Sequence, residues 1–560
     1  MSQHFVAVGH GWNRWILAAS LCFATAAASA QQPAGAAPAP SAPGAPAQTP
    51  APPPSKASPK PETHITPDQA KQLFGLVDDL LKFSSQETGL PIKSEVKRQL
   101  TTRIAVESYL NEKFNEDQDA KRMQRSEIVL KKFGLLDRDF DLKPFLLSLL
   151  KEQIEAYYDP KTKTVNLLDW VSIDEQKPVL AHELTHALQD QHVDLDKWSD
   201  ATPPDVSINS NDDTTHLAKD ELDTSREAVT EGQATAVMMD NILKPMGRSL
   251  LKDPEVVDLI KAQMTGSGDS PILARAPLLL SETLMFPYRE GLSFEQDLWM
   301  DQGQNAAFSG ALDRPPTSTW EIINPREYEK GRLPPVPLLP DIHPLVDKLY
   351  RPYDIGQVGQ LDVQILSGLF GGDTAARNLT PAWDGGIYWA GQLRSATTPA
   401  QQDSTASIAF FYLSAWRNAP AAQAFAHIYA DELGRKYSGL KPDKIAENSA
   451  PAAVGAQPIS EEQVFTTNEG PVLITTRGKL VFVAESFPLD TARKLTALIL
   501  DAQGSGAMET ASAKRLAIPP VASGLVSSPN EPLSASFVRF LANCGVMKAA
   551  AEAALTAGRR

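Results

Sequence analysis

Apolar residues recur at helical spacing through most of the chain's first half. In PDQAKQLFGLVDDLLKF, the residues Leu73, Val77, Leu80 and Leu81 share one helix face. ESYLNEKF, RMQRSEIVLKKFGLL and KPFLLSLLKEQIEA continue that period, while VKRQLTTR near residue 100 also reads as a strand. The period then changes. IEAYYDPKTKTVNLLDW holds two short apolar runs around a DPKTKT turn, which predicts a β-hairpin at Asp159-Pro160. DEQKPVLAHELTHALQDQ returns to a helix, with Asp174 as the expected N-cap and Val179, Leu180, Leu184, Ala187 and Leu188 as its apolar stripe. After a polar loop, HLAKDELDTSREAVTEGQATAVMMDNIL predicts a long helix with a break near Gly232, and helix continues to about residue 311.

The proline-dense stretch RPPTSTWEIINPREYEKGRLPPVPLLPDIHP marks a boundary. Beyond it GGIYWAGQL and SIAFFYLSAW read as strands, AAQAFAHIYADELGRKY as an amphipathic helix, VFTTNEGPVLITTRGKLVFVAES as two or three strands, and TARKLTALILDAQ as a closing helix. No fixed-period repeat is present. The fold class predicted is α+β and helix-rich, with one domain over 64–330, a short hairpin or sheet packed on its HExxH helix, and a second α+β domain over 345–545.

Composition changes the picture at the amino end. WILAASLCFATAAA is an apolar run of about fourteen residues, too short to span a bilayer comfortably, and Ala28-Ser29-Ala30 supplies a small-x-small cleavage pattern. Residues 1–30 are expected to be a signal peptide, and the chain to be exported to the periplasm or beyond. Residues 31–63 are rich in proline and alanine and lack the apolar side chains a core requires, so they predict a disordered linker. No second apolar stretch reaches membrane-spanning length, so no integral membrane segment is expected in the mature chain. The net charge of −15 argues against a nucleic-acid partner. Of two cysteines only Cys544 follows the signal, which excludes an intrachain disulfide framework.

Candidate chemistry lies in His182-Glu183-Leu184-Thr185-His186. Two histidines four apart on a helix share a face and can bind one zinc ion. Glu183, next to a ligand but directed past it, is placed as the general base for a water the metal activates. A third protein ligand is needed. His192 stands six after His186, the metzincin spacing, but Gln189 occupies the position where that pattern has a helix-breaking glycine. On an unbroken helix His192 lies about 240° round from His186. Glu227 and Glu231 share a face of the later helix, and Glu231 precedes Gly232, a residue suited to close approach of another backbone. Glu231 is taken as the third ligand, with Glu227 or Asp190 expected to hold a ligating histidine from behind.

AHELTHALQDQ followed by TEGQA resembles the gluzincin-type zinc peptidases, in which the glutamate of an EGxA motif is the third ligand. More narrowly, the chain resembles a group of secreted bacterial and archaeal HExxH proteins. The shared pieces are a YDP hairpin (Ala156, Tyr157, Tyr158, Asp159, Pro160), HELTHALQDQ, EGxA, a Tyr-x-x-Gly-x-x-Phe segment (Tyr288, Gly291, Phe294) and a Pro-Pro-x-Ser-Thr segment (Pro315 to Thr319). They cover roughly residues 90 to 330. Two positions depart from the pattern: EGQA stands where EGEA is commoner, and Asn324 precedes Pro325 where a histidine is usual. The resemblance implies a zincin-like domain, a zinc cofactor and a peptide or protein substrate. Tyr157, Tyr158 and Tyr288 are the candidate oxyanion donors, and Lys163 to Leu168 the sheet edge along which substrate would lie. The alternatives are an inactive zincin-like envelope or binding protein, and a metzincin-like peptidase using His192.

Overall fold

Thr66 starts the first helix, α1 (Pro67–Thr88), through a capping box with Gln69, and Gly89 ends it in the left-handed conformation at φ 71°. The expected stripe of Leu73, Val77, Leu80 and Leu81 is buried. These elements come from a computed structural model that describes residues 64–108, 117–153, 156–198, 209–264, 271–448 and 461–503. The expected signal peptide and linker, Cys544 and the end of the second predicted domain lie outside the described residues.

Helices α2 (Asp117–Phe133) and α3 (Leu142–Gln153) follow a short strand, β1 (Lys97–Thr101). The predicted hairpin forms from β2 (Ala156–Asp159) and β3 (Thr164–Leu168). Asp159 closes its turn by accepting from the Lys161 N–H at 2.9 Å and the Thr162 hydroxyl at 2.7 Å. The strand reading of VKRQLTTR holds too: β1 pairs in parallel with β3, giving the order β1-β3-β2. That order corrects one expectation. The segment Lys163 to Leu168 is the middle of the sheet, not an edge. Its edges are β1 and β2.

The motif helix, α4 (Ile173–Val193), is capped by Ser172 with Glu175 as its reciprocal partner. Asp174, the expected N-cap, lies inside the first turn instead. The second correction concerns the long helix. It breaks at residues 218–221, separating α5 (Ser210–Leu217) from α6 (Leu222–Leu243), and α6 runs unbroken through Gly232. Glycine costs about 1 kcal/mol in a helix interior, so tertiary packing must offset it here. After α7 (Pro254–Met264), α8 (Leu278–Gln302) lies along α6, and α4 packs between α1 and α6.

The proline-dense stretch carries two short helices, Thr319–Ile323 and Pro325–Glu329, with Trp320 and Tyr328 buried. Then comes an antiparallel sheet of β4 (Tyr350–Gln357), β5 (Trp383–Leu393), β6 (Ile408–Trp416), β7 (Lys441–Pro442), β8 (Glu461–Thr467), β9 (Gly470–Arg477) and β10 (Leu480–Glu485). Its order is β4-β5-β6-β10-β9-β8-β7. Every residue of β6 is buried because both faces are covered. Phe410 and Tyr412 face the core of α9 (Gln360–Leu379) and α10 (Ala419–Lys436), while Phe411 and Leu413 face α11 (Leu489–Ala502). The larger core runs without interruption from α1, α4, α6 and α8 into the inner face of this sheet.

Candidate metal centre

His182 and His186 stand one turn apart on α4, and Glu231 approaches from α6. The His182 and His186 Nε2 atoms are 3.0 Å apart. Glu231 Oε2 lies 3.1 Å from His182 Nε2, and its Oε1 lies 3.5 Å from His186 Nε2. Among the described residues this is the group of histidine, cysteine and acidic side chains able to converge on one ion. A tetrahedron with ligand bonds of 2.0–2.1 Å has edges of about 3.3 Å. The three separations bracket that value, so the donor set fits three corners around a small divalent cation. Imidazole and carboxylate suit zinc but also other transition metals.

Two glycines set this convergence. A Cβ on Gly232 would overlap the Gly291 carbonyl and lie 2.9 Å from its Cα, and one on Gly291 would overlap the Ala228 carbonyl. The α6 and α8 backbones are thus in direct contact, which places Glu231 at its depth and also lays Tyr288 over His182, ring centroids 6.4 Å apart and 22° from parallel.

All four polar side chains are almost fully buried: His182 and Glu183 at 0%, Glu231 at 1% and His186 at 5% exposure. Their charges therefore interact strongly. Burial lowers the pKa of His182 to about 4, and Glu231 only partly opposes this. Burial works against a charged His186 as well, but the Glu231 charge overcomes it and carries the group up to about 9. Burial pushes Glu231 up, yet the two histidines hold it down at about 2. Burial raises Glu183 to about 8, with His186 opposing and Glu231 adding. Glu183 Oε2 accepts the Tyr158 backbone N–H at 2.8 Å, and its Oε1 has no hydrogen-bond partner among the described residues. A cation at the three donors would favour ionised Glu183.

The remaining candidates separate. Tyr158 is tied down: its hydroxyl donates to Asp190 at 2.7 Å. Tyr157, the next residue, faces the opposite side of the sheet, where burial raises its pKa to about 12 and Thr101 is its hydrogen-bond partner. Tyr288 packs its ring on the proposed ligand His182. His192 does not converge; its Nε2 meets Asp313 at 2.9 Å. Asp190 was expected behind a histidine, but it accepts instead from Tyr158, from Lys163 Nζ at 2.7 Å and from the Leu195 N–H at 3.1 Å, clasping the hairpin to α4. Glu227 is buried one turn before Glu231. The residue that bonds His186 Nδ1 is Gln189, at 2.8 Å. It is the i, i+3 neighbour on the same helix face, a spacing that by itself assigns it no role. Asn324, at the place of the usual histidine, bonds Trp320 O and Gln360 Oε1, both at 2.7 Å.

No family model, curated protein or solved structure matches this chain. The functional reading therefore rests on the site's own geometry.

Proposed function

We propose that the protein is an exported zinc-dependent peptidase, with zinc held by His182, His186 and Glu231. The observation that carries this reading is the approach of Glu231 to both histidines, with Glu183 beside them presenting one unbonded oxygen. Zinc at this site would supply a Lewis acid for the scissile carbonyl and lower the pKa of water. Glu183, oriented through Oε2 by the Tyr158 N–H, takes the water proton on Oε1 and returns it to the leaving amine. Tyr288 is the tyrosine retained as an oxyanion donor. Substrate is assigned to the outer edge of β2 in place of β3. The Tyr158 N–H points away from β3 and reaches Glu183, so that edge faces the proposed centre. The near-complete burial of the four side chains favours one rival, a metal-holding binding protein without turnover.

The test is metal analysis of the chain purified without added zinc, together with turnover of a mixed peptide library. Glu183→Gln is expected to keep the metal and to lower turnover by about 10²–10⁴-fold, the usual share of a general base. Loss of metal in this variant would make Glu183 a ligand. A loaded wild-type chain that cleaves nothing would favour the binding protein, and a chain without metal would end the reading.

A further inference from the structure

Behind His186 stands a pair of side-chain amides whose orientations are set one by the other. Gln233 Nε2 lies 2.9 Å from Ala307 O and 3.0 Å from Phe308 O. Both atoms are carbonyl oxygens, which only accept, so the Gln233 amide must turn its NH2 toward them. Its Oε1 is thereby directed at Gln189, whose Nε2 donates to it at 2.9 Å. The same Gln189 Nε2 donates to Thr230 O at 3.0 Å. With both of its N–H groups engaged, Gln189 can present only Oε1 to His186 Nδ1, 2.8 Å away. An acceptor there requires a proton on Nδ1. Neutral His186 then carries its lone pair on Nε2, the atom that faces His182 and Glu231.

We infer that Gln189 and Gln233 form an amide relay that holds His186 in its metal-binding tautomer, making both positioning residues for the centre. The relay starts at the carbonyls of Ala307 and Phe308, in a π-helical turn at Ala306–Gly310. Such wide turns recur at functional sites. All three amide and imidazole members are buried, with Gln189 and Gln233 at 0% exposure, so water does not compete for these bonds. The relay also gives a reason for the glutamine of EGQA. A carboxylate at position 233 would set negative charge against two carbonyl oxygens, whereas the amide donates to both. Orientation of this kind is expected to be worth about 10–100-fold in metal affinity.

The inference rests on the metal reading proposed above, and the experiment separates the two. Gln189→Met and Gln233→Met are near-isosteric and remove the relay without opening a large cavity. Zinc affinity is measured by chelator competition for the wild type, both single variants and the double variant, with cobalt(II) visible bands as a second readout. Gln189→Met is expected to weaken zinc about 10–100-fold and to change the cobalt bands, because His186 can then rotate and switch tautomer. Gln233→Met is expected to weaken zinc in the wild-type background and to add nothing once Gln189 is replaced, because it acts through Gln189. Additive losses, or unchanged affinity and bands with only a lowered melting temperature, would overturn the relay while leaving the metal reading intact. A wild-type chain that binds neither zinc nor cobalt would overturn both.

Discussion

At the scale of single residues, the proposed centre is a collection of ionisable groups that burial alone would make unfavourable. Their pKa shifts have a consequence for stability. Glu183 is raised to about 8 and His186 to about 9, against unfolded values near 4.3 and 6.5. Between pH 6.5 and 8 the folded metal-free chain therefore holds protons at both groups that the unfolded chain has lost. Stability then falls as pH rises, by up to about 1.4 kcal/mol per pH unit for each proton. His182, lowered to about 4, acts in the other direction, but only between about pH 4 and 6.5. The melting temperature of EDTA-treated protein is expected to fall from pH 6.5 to 8. With zinc bound, the cation replaces those protons and the fall should become shallower, the remainder belonging to acids outside the ligand set such as Glu221, which burial also raises to about 8. An equal slope with and without zinc would contradict the electrostatic description of these four side chains. His182, Glu183 and His186 are legible as a set from their spacing. Gln189 is not, because an amide three residues on has many uses, and only its partners on another helix reveal this one.

At the scale of elements, the centre depends on how closely α6 and α8 approach. The sequence shows Gly232 beside Glu231 and suggests a close neighbour, but Gly291, about sixty residues away, is identified only by packing. Gly232→Ala forces a Cβ into the Gly291 backbone, which no rotamer change relieves. The expected cost is at least the roughly 1–3 kcal/mol of ordinary overpacking, outweighing any gain in helix propensity. Because α6 carries Glu231, zinc affinity should fall as well. A melting curve and a zinc titration of this variant check both; a stabilised Gly232→Ala with unchanged affinity would mean that the helices are not in contact. The hairpin teaches a related lesson. Its two strands were readable from alternation and turn chemistry, but its edge was not, because β1 joins β3 from about sixty residues earlier.

At the scale of the whole molecule, the helix-rich and sheet-rich regions share one core. Phe133 of α2 packs on Phe410 and Tyr412 of β6 with ring centroids 5.1 and 5.3 Å away. Lys132, at 0% exposure, pairs with Glu469 at 2.7 Å. Residues 64–330 expressed alone would expose these rings and uncover Lys132, so the apolar surface that closes the shared core would face water. That fragment is expected to aggregate or to melt without a cooperative transition, while 64–503 unfolds cooperatively. Calorimetry of both decides. Cooperative melting of the shorter fragment with zinc affinity intact would show that the shared core is dispensable. Among the described residues no helix is long and apolar enough to cross a membrane.

What the sequence determined by itself is local: helix faces from the period of apolar residues, the hairpin from its turn, and three chemical groups from their places one turn apart. These depend on neighbours within a few positions, and short-range backbone geometry dictates them. The tertiary structure decided the rest. It brought Glu231 to within 3.1 Å of His182 across 49 residues, placed β3 inside its sheet, and turned Gln189 toward His186 through bonds that end at Ala307 and Phe308. Such pairings carry no sequence period. They arise where burial removes water and each polar group must find its partner in whatever the packed core sets beside it.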